Sequence, residues 1–176
     1  MKNSNFLLLI FAWVCISLTA CQTHSDENPK DGCIKTIVLV RHAEKIITNE
    51  TKDPDLTEDG FERVNQLTEL FKDWPVDVFL STDYQRCTKT IAPLANINQQ
   101  DIEIYEEDEL VELAERIKSS DACSFMVVGH SDTNPYLMNH IIGEEKYERI
   151  DVDDYSGIFI IAISPDSIMD TKVIRY

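Results

Sequence analysis

Short runs of apolar, mainly β-branched residues alternate along this chain with longer segments whose apolar residues recur every three or four positions. Uninterrupted apolar runs are typical of strands buried on both faces of a parallel sheet, whereas the longer spacing is typical of amphipathic helices. The runs that predict strands lie at 34–40, 76–80, 102–105 and 124–129, with a terminal pair at 157–164 and 168–176. This order predicts an α/β fold, a three-layer α/β/α sandwich around a mainly parallel central sheet.

Helical spacing fills the gaps between these runs, at 57–72, 84–95, 110–117 and 135–142. Thr57 is typical of a helix N-cap, because its hydroxyl can accept a hydrogen bond from a free backbone amide. Gly60 follows in the first turn and is suited to close packing, so we interpret both residues as structural. His140 falls inside the last helix, where we expect a surface or packing role.

The first 32 residues predict export and lipid attachment. Residues 6–18 form an apolar run that is too short to span a bilayer but is typical of a secretory signal. Residues 18–21, Leu-Thr-Ala-Cys, resemble the cleavage box of bacterial lipoprotein signals, which implies cleavage before Cys21 and its acylation. We therefore expect a signal peptide at 1–20, a flexible tether at 21–32 and one domain at 33–176, exported and lipid-anchored to a bacterial membrane.

The chain has a formal net charge of −16. This charge argues against nucleic acid or an anionic lipid surface as the main partner, so the lipid anchor is the only membrane contact that we expect. In so acidic a chain, arginines that converge at one place indicate an anion-binding site.

Two histidines and two arginines lie at or just beyond the ends of predicted strands: Arg41 and His42, Arg86, and His130. The carboxyl ends of parallel strands meet at one edge of a sheet, so these side chains should lie together. Guanidinium groups match phosphate oxygens, a neutral imidazole is a competent nucleophile, and a second imidazole can stabilise the transition state. Each residue alone is also typical of an ordinary rim or surface position. Their conjunction predicts phosphoryl transfer without a metal or cofactor, and the absence of Cys/His ligand spacing argues against structural zinc.

Several motifs resemble those of the histidine phosphatase superfamily, which includes phosphoglycerate mutases and small phosphohistidine phosphatases. The resemblance runs from about residue 34 to the end and rests on 39–44, 56–60, 128–131 and on Ser81, Arg86-Cys87 and Thr90. It implies a phosphoglycerate mutase-like fold in which His42 becomes phosphohistidine and Arg41, Arg86 and His130 bind the phosphate.

The implied function is hydrolysis of a phosphomonoester on a small molecule or on a phosphorylated side chain. Two alternatives remain open. One is a phosphoglycerate mutase-like phosphotransferase, although the chain has little inserted sequence for a substrate lid. The other is a catalytically inactive lipoprotein of the same fold that binds phosphate or another ligand.

The general acid is the part of the site that departs from the pattern. Larger members of the superfamily place a glutamate after the third strand, where this chain has four carboxylates at 106–109. Glu106 and Glu107 are the candidates because they lie nearest to the strand end, although acidic residues at a helix start are also typical of dipole stabilisation. Asp132 is the alternative, since the acid-phosphatase branch places its acid directly after the second histidine.

Cys33 and Cys123 each precede a strand whose far end carries a site histidine. Strands that converge on one phosphate should be neighbours, about 4.8 Å apart, which is within disulfide reach. Export permits the bond. We therefore expect a Cys33–Cys123 disulfide at the end of the sheet opposite the site, with two free thiols as the alternative, and we expect Cys87 to be a small buried residue.

The loops at 46–55 and 143–154 are where we expect substrate selection. The second loop carries several carboxylates, which would disfavour highly anionic substrates if they face the site: Glu144, Glu145, Asp151, Asp153 and Asp154.

Overall fold

A computed structural model of the chain describes residues 32–164 and 167–176. The predicted signal peptide, Cys21 and nearly all of the predicted tether lie outside the described residues. The elements follow in the order β1 (Lys35–Arg41), α1 (Glu58–Phe71), β2 (Val78–Ser81), α2 (Gln85–Asn98), β3 (Ile102–Ile104), α3 (Leu110–Ser119), β4 (Ser124–Gly129), α4 (Thr133–Ile142), β5 (Gly157–Ser164) and β6 (Ser167–Arg175).

The strands form one sheet in the order β3-β2-β4-β1-β5-β6. The first four strands in chain order run parallel, and β5 and β6 form an antiparallel hairpin at one side. The sheet is therefore mainly parallel, and the terminal pair lies at its edge. The mainly parallel sheet and the terminal pair of strands agree with the sequence prediction.

The side chains of β1 alternate between two cores, one on each face of the sheet. Val38 and Val40 pack in one core with residues of α1 and α2, including Leu67 and Ile91. Ile37 and Leu39 pack in the other core with residues of α3 and α4. Helices thus cover both faces, and the three-layer sandwich is confirmed.

Two features fix α1 against the chain that follows β1. The Thr57 hydroxyl accepts a hydrogen bond from the Gly60 amide at 3.0 Å, so Thr57 is the N-cap. A Cβ atom at Gly60 would lie 2.3 Å from the carbonyl oxygen of Glu44. Only a glycine lets the helix approach the backbone just beyond His42 this closely.

The parallel pairing of β1 with β4 brings the two site histidines to one edge. Arg41 lies opposite Gly129, and the His42 amide donates a hydrogen bond to the Gly129 carbonyl at 3.0 Å. His42 and His130 therefore leave neighbouring strands at the same level of the sheet.

At the opposite end of the same two strands, the structure has a disulfide between Cys33 and Cys123, with Cα atoms 6.0 Å apart. It is the pair expected from the sequence. Cys87 is a free, buried cysteine. Within the described ranges, no helix is long and apolar enough to cross a membrane.

Candidate active site

His42 lies at the end of β1 with only 3% of its surface exposed. Its Nδ1 is 2.7 Å from the carbonyl oxygen of Ala43. A carbonyl oxygen can only accept, so Nδ1 carries the hydrogen and Nε2 keeps its lone pair. Burial, more than the nearby positive groups, lowers the pKa of His42 to about 3, so the ring is neutral at ordinary pH.

Arg41 is held by the loop that precedes β5. Its Nη1 donates to the carbonyl oxygens of Asp151, Val152 and Asp154 at 3.2, 2.8 and 3.0 Å. Its guanidinium also lies over the ring of Tyr155, 3.9 Å from the centroid. The buried Nε has no hydrogen-bond partner among the described residues, so one donor is not used by the protein.

Arg86 lies in the first turn of α2 and is 8% exposed. Its guanidinium stacks on Tyr84 at 4.0 Å, and Nη1 is 3.6 Å from an Asp53 carboxylate oxygen. Its Nε and Nη1 are buried without a hydrogen-bond partner in the part of the chain that the structure describes. Two buried guanidinium groups with unused donors make this edge of the sheet suited to an oxyanion.

Two polar contacts anchor this arrangement. The Asp53 carboxylate accepts from the Gln85 amide at 3.1 and 3.2 Å, so the loop at 46–55 caps α2. The Thr90 hydroxyl accepts from the Ala43 amide and donates to the Arg86 carbonyl, at 3.0 and 2.7 Å. The backbone around His42 is therefore tied to the helix that carries Arg86.

His130 follows β4, and its ring centroid is 5.3 Å from that of His42. Its Nε2 lies 2.6 Å from Oε1 of Glu107 and 3.1 Å from the hydroxyl of Thr82. Burial, followed by the positive charge of Arg86, lowers the pKa of His130 to about 4. A second neutral imidazole thus faces the first.

Glu107 is the candidate acid whose carboxylate reaches His130. Burial raises the pKa of its carboxyl, and repulsion from Asp132 raises it further. Glu106 and Glu107 are both exposed, with 43% of the Glu107 side chain accessible, and Asp132 caps α4 by accepting from the Thr133 amide at 2.9 Å. Of the three acids considered from the sequence, Glu107 has both the contact and the pKa shift that suit a proton donor.

Sequence reasoning missed the aromatic side chains of the site. Tyr84 lies against both Arg86 and His130, and Tyr155 against both Arg41 and His42. Tyr84 could have been suspected from its position two residues before Arg86. Tyr155 could not, because only the pairing of β5 with β1 brings it to Arg41.

Glu44, in the same motif as His42, has a structural role. It forms a bidentate ion pair with Arg63 of α1, with Nε at 2.8 and 2.9 Å and Nη2 at 2.6 Å. This pair fixes the start of the loop against α1.

The three-layer sandwich, with a histidine at the end of its first strand, has the phosphoglycerate mutase-like histidine phosphatase fold. Residues 37–115 match the model of the histidine phosphatase superfamily, branch 1. The matched stretch runs from β1 into α3 and contains His42, Arg86 and Glu107.

Solved structures agree with this fold. The protein histidine phosphatase SixA, complexed with tungstate, has a TM-score of 0.65 at 12% identity, covering 80% of this chain and 96% of its own. A proposed alpha-ribazole-5'-P phosphatase from Escherichia coli K-12 has a TM-score of 0.66 at 14% identity, covering 81% and 96%. The alpha-ribazole phosphatase from Shigella flexneri has a TM-score of 0.62 at 16% identity, covering 80% and 96%. Among curated protein sequences, none matches the chain.

Proposed function

We propose that this chain is a metal-independent phosphatase that hydrolyses phosphomonoesters through a phosphohistidine on His42. The observation that carries the proposal is the hydrogen bond from His42 Nδ1 to the Ala43 carbonyl at 2.7 Å. It leaves the lone pair on Nε2, at the edge of the sheet where two buried guanidinium groups also lie. A lone pair so placed attacks a phosphorus atom, and the guanidinium donors neutralise the phosphoryl oxygens.

In the first step, the Nε2 lone pair of His42 forms a bond to phosphorus as the ester P–O bond breaks. The leaving oxygen takes the proton of the Glu107 carboxyl, and the alcohol departs. The positive charge that develops on the ring is shared through Nδ1–H with the Ala43 carbonyl. Arg41, Arg86 and His130 donate to the phosphoryl oxygens as their charge redistributes.

In the second step, the Glu107 carboxylate accepts a proton from water as the water oxygen attacks phosphorus. The P–N bond breaks, inorganic phosphate leaves, and both side chains return to their starting protonation states. The names of the structural relatives support a phosphatase rather than a mutase.

Turnover of a generic aryl phosphate by the full chain, assayed with chelator present, tests this function. We expect activity to survive the chelator and to fall at least about 10³-fold in His42→Ala. His24→Ala, in the predicted tether, is the matched control and should retain activity. A wild-type chain that is inert across a broad panel of phosphomonoesters would favour the ligand-binding alternative.

We also propose that the enzyme works outside the cytoplasm on a lipid anchor at Cys21. The apolar run at 6–18 and the Leu-Thr-Ala-Cys box support this location, and a disulfide is consistent with an oxidising compartment. Metabolic labelling with a radioactive fatty acid should mark the wild type and leave Cys21→Ala unmarked. A label that persists in that variant would contradict the anchor.

A further inference from the structure

A cavity of about 270 Å³, open to solvent and lined mainly by exposed residues, lies beside Glu107 between α3 and α4. Glu107 forms one of its walls, and the same carboxylate is 2.6 Å from His130. A general acid must contact the leaving oxygen, so the group attached to that oxygen lies next to Glu107. Glu107 thus belongs both to the active site and to the lining of this cavity.

The lining of the cavity combines apolar surface with negative charge. Leu110, Val111 and Tyr136 supply the apolar part, and Asp108 and Glu145 supply the negative charge, since the Glu107 carboxyl carries the proton for the leaving oxygen in the proposed mechanism. His140 is the remaining lining side chain, and among the described residues of the wall none is a lysine or an arginine. The lining therefore favours a partly apolar group that carries positive charge.

The positive side chains of the site lie on the phosphate side. Arg41 and Arg86 lie near His42. Burial, followed by the charges of Arg86 and Arg41, lowers the pKa of Lys45, so these three cations lie near one another. A bound phosphate neutralises these cations, so they are not available to balance a second negative charge on the leaving group. An anionic leaving group would instead meet the carboxylates of the cavity.

We propose that the cavity binds the leaving group, and that the substrate is a phosphomonoester whose alcohol carries a cationic nitrogen beside an apolar segment. This inference rests on the proposed phosphatase function and narrows its substrate class. A small phosphorylated amino alcohol and a phosphorylated side chain with a neighbouring ammonium both fit the description. Polyanionic substrates such as sugar bisphosphates do not.

Three aryl phosphates of nearly equal size and leaving-group acidity test the proposal on the full chain: 4-(2-aminoethyl)phenyl, 4-ethylphenyl and 4-(2-carboxyethyl)phenyl phosphate. We expect kcat/KM to fall by about fivefold from the ammonium to the neutral ester and by a similar factor to the carboxylate, the size of partly exposed charge pairs. The differences should shrink as salt is added, because exposed charges are screened.

The double variant Asp108→Asn/Glu145→Gln identifies the cavity as the source of the preference. We expect the ratio of kcat/KM for the ammonium over the neutral ester to approach one in this variant. Glu62→Gln removes an exposed carboxylate from α1 on the other face of the sheet and should keep the wild-type ratio.

The outcomes separate the two proposals. Equal turnover of the three esters, a preference for the carboxylate ester, or a preference that survives in the double variant would overturn the inference and leave the phosphatase function intact. If none of the three esters is hydrolysed, the result contradicts the proposed phosphatase function itself.

Discussion

At the residue scale, burial and one backbone hydrogen bond prepare His42 for its proposed role. Burial keeps the ring neutral beside two guanidinium groups, and the Ala43 carbonyl selects the tautomer. Nearby, the lowered pKa of His130 and the raised pKa of Glu107 act in the same direction, since both favour the uncharged form. Both shifts therefore favour a proton on the Glu107 carboxyl over a proton on His130.

The low pKa values of the two histidines have a consequence for stability. In the unfolded chain both histidines take up protons near pH 6.5, whereas in the folded chain they do so only near pH 3 and 4. The free energy of unfolding should therefore fall as the pH falls from 6.5 toward these lower values. The double variant His42→Gln/His130→Gln should show a shallower dependence, by at most about 1.4 kcal/mol per pH unit per histidine. Urea unfolding at a series of pH values measures it. His24→Gln is the control, and a slope in the double variant equal to that of wild type would contradict the account.

Replacing the proposed acid should affect poor leaving groups most. In Glu107→Gln, kcat for an alkyl phosphate should fall by about 10²-fold or more, because the alkoxide then departs unprotonated. Turnover of 4-nitrophenyl phosphate, whose leaving group needs no proton, should fall by less than about tenfold. Glu106→Gln and Asp132→Asn test the other two carboxylates. If kcat for the alkyl phosphate falls further in either of those variants than in Glu107→Gln, the residue replaced in that variant is the general acid.

At the element scale, the features that could be predicted from the sequence are those set by the spacing of apolar residues and by the direction of the strands. β4 has the predicted bounds, α1 begins directly after the predicted cap, and β1 and β4 are neighbours as the two histidines required. The features that could not be predicted from the sequence depend on contacts between segments that are far apart in the chain. Tyr155 reaches Arg41 through the β1–β5 pairing, and the choice of Glu107 over its neighbours depends on the direction of one side chain after β3.

Gly60 shows how closely two elements depend on each other. In Gly60→Ala the new Cβ would lie 2.3 Å from the Glu44 carbonyl, so α1 has to move away from the loop that begins at His42. We expect the free energy of unfolding to fall by about 1–3 kcal/mol, with reduced activity as well. Thermal unfolding and an assay on the same sample measure both effects.

Gly143→Ala is the matched control for that variant. Gly143 ends α4 with φ of 72°, and an added Cβ there meets no atom within 4 Å. It should therefore lose about 1 kcal/mol to backbone strain and retain activity. Equal effects of the two substitutions on activity would contradict the packing role of Gly60.

At the scale of the whole molecule, β1 and β4 carry different features at their two ends. The disulfide Cys33–Cys123 lies at the start of both strands, and the candidate active site lies at their carboxyl ends. The six residues of β4 separate Cys123 from His130, which corresponds to about 20 Å of strand. A change at the disulfide should therefore alter the stability of the protein without altering its catalysis.

Removing the disulfide should destabilise the protein and leave the chemistry unchanged. The bridge closes a loop with a sequence separation of 90 residues, so Cys33→Ser/Cys123→Ser should lower the free energy of unfolding by up to about 4 kcal/mol in the chain-entropy model. At temperatures where the variant is folded, kcat/KM should stay within about twofold of wild type, since the bond is remote from the site. Denaturant unfolding with and without reductant measures the first effect. An unfolding midpoint that does not respond to reductant would contradict the bond.

The most direct measurement of the central claim is to trap the covalent intermediate. The full chain is mixed with a phosphomonoester, quenched in alkali within one turnover, digested and examined by mass spectrometry. The account predicts one alkali-stable, acid-labile phosphate on Nε2 of His42, absent from His42→Ala. Phosphate trapped on any other residue, or turnover by His42→Ala at the wild-type rate, would contradict it.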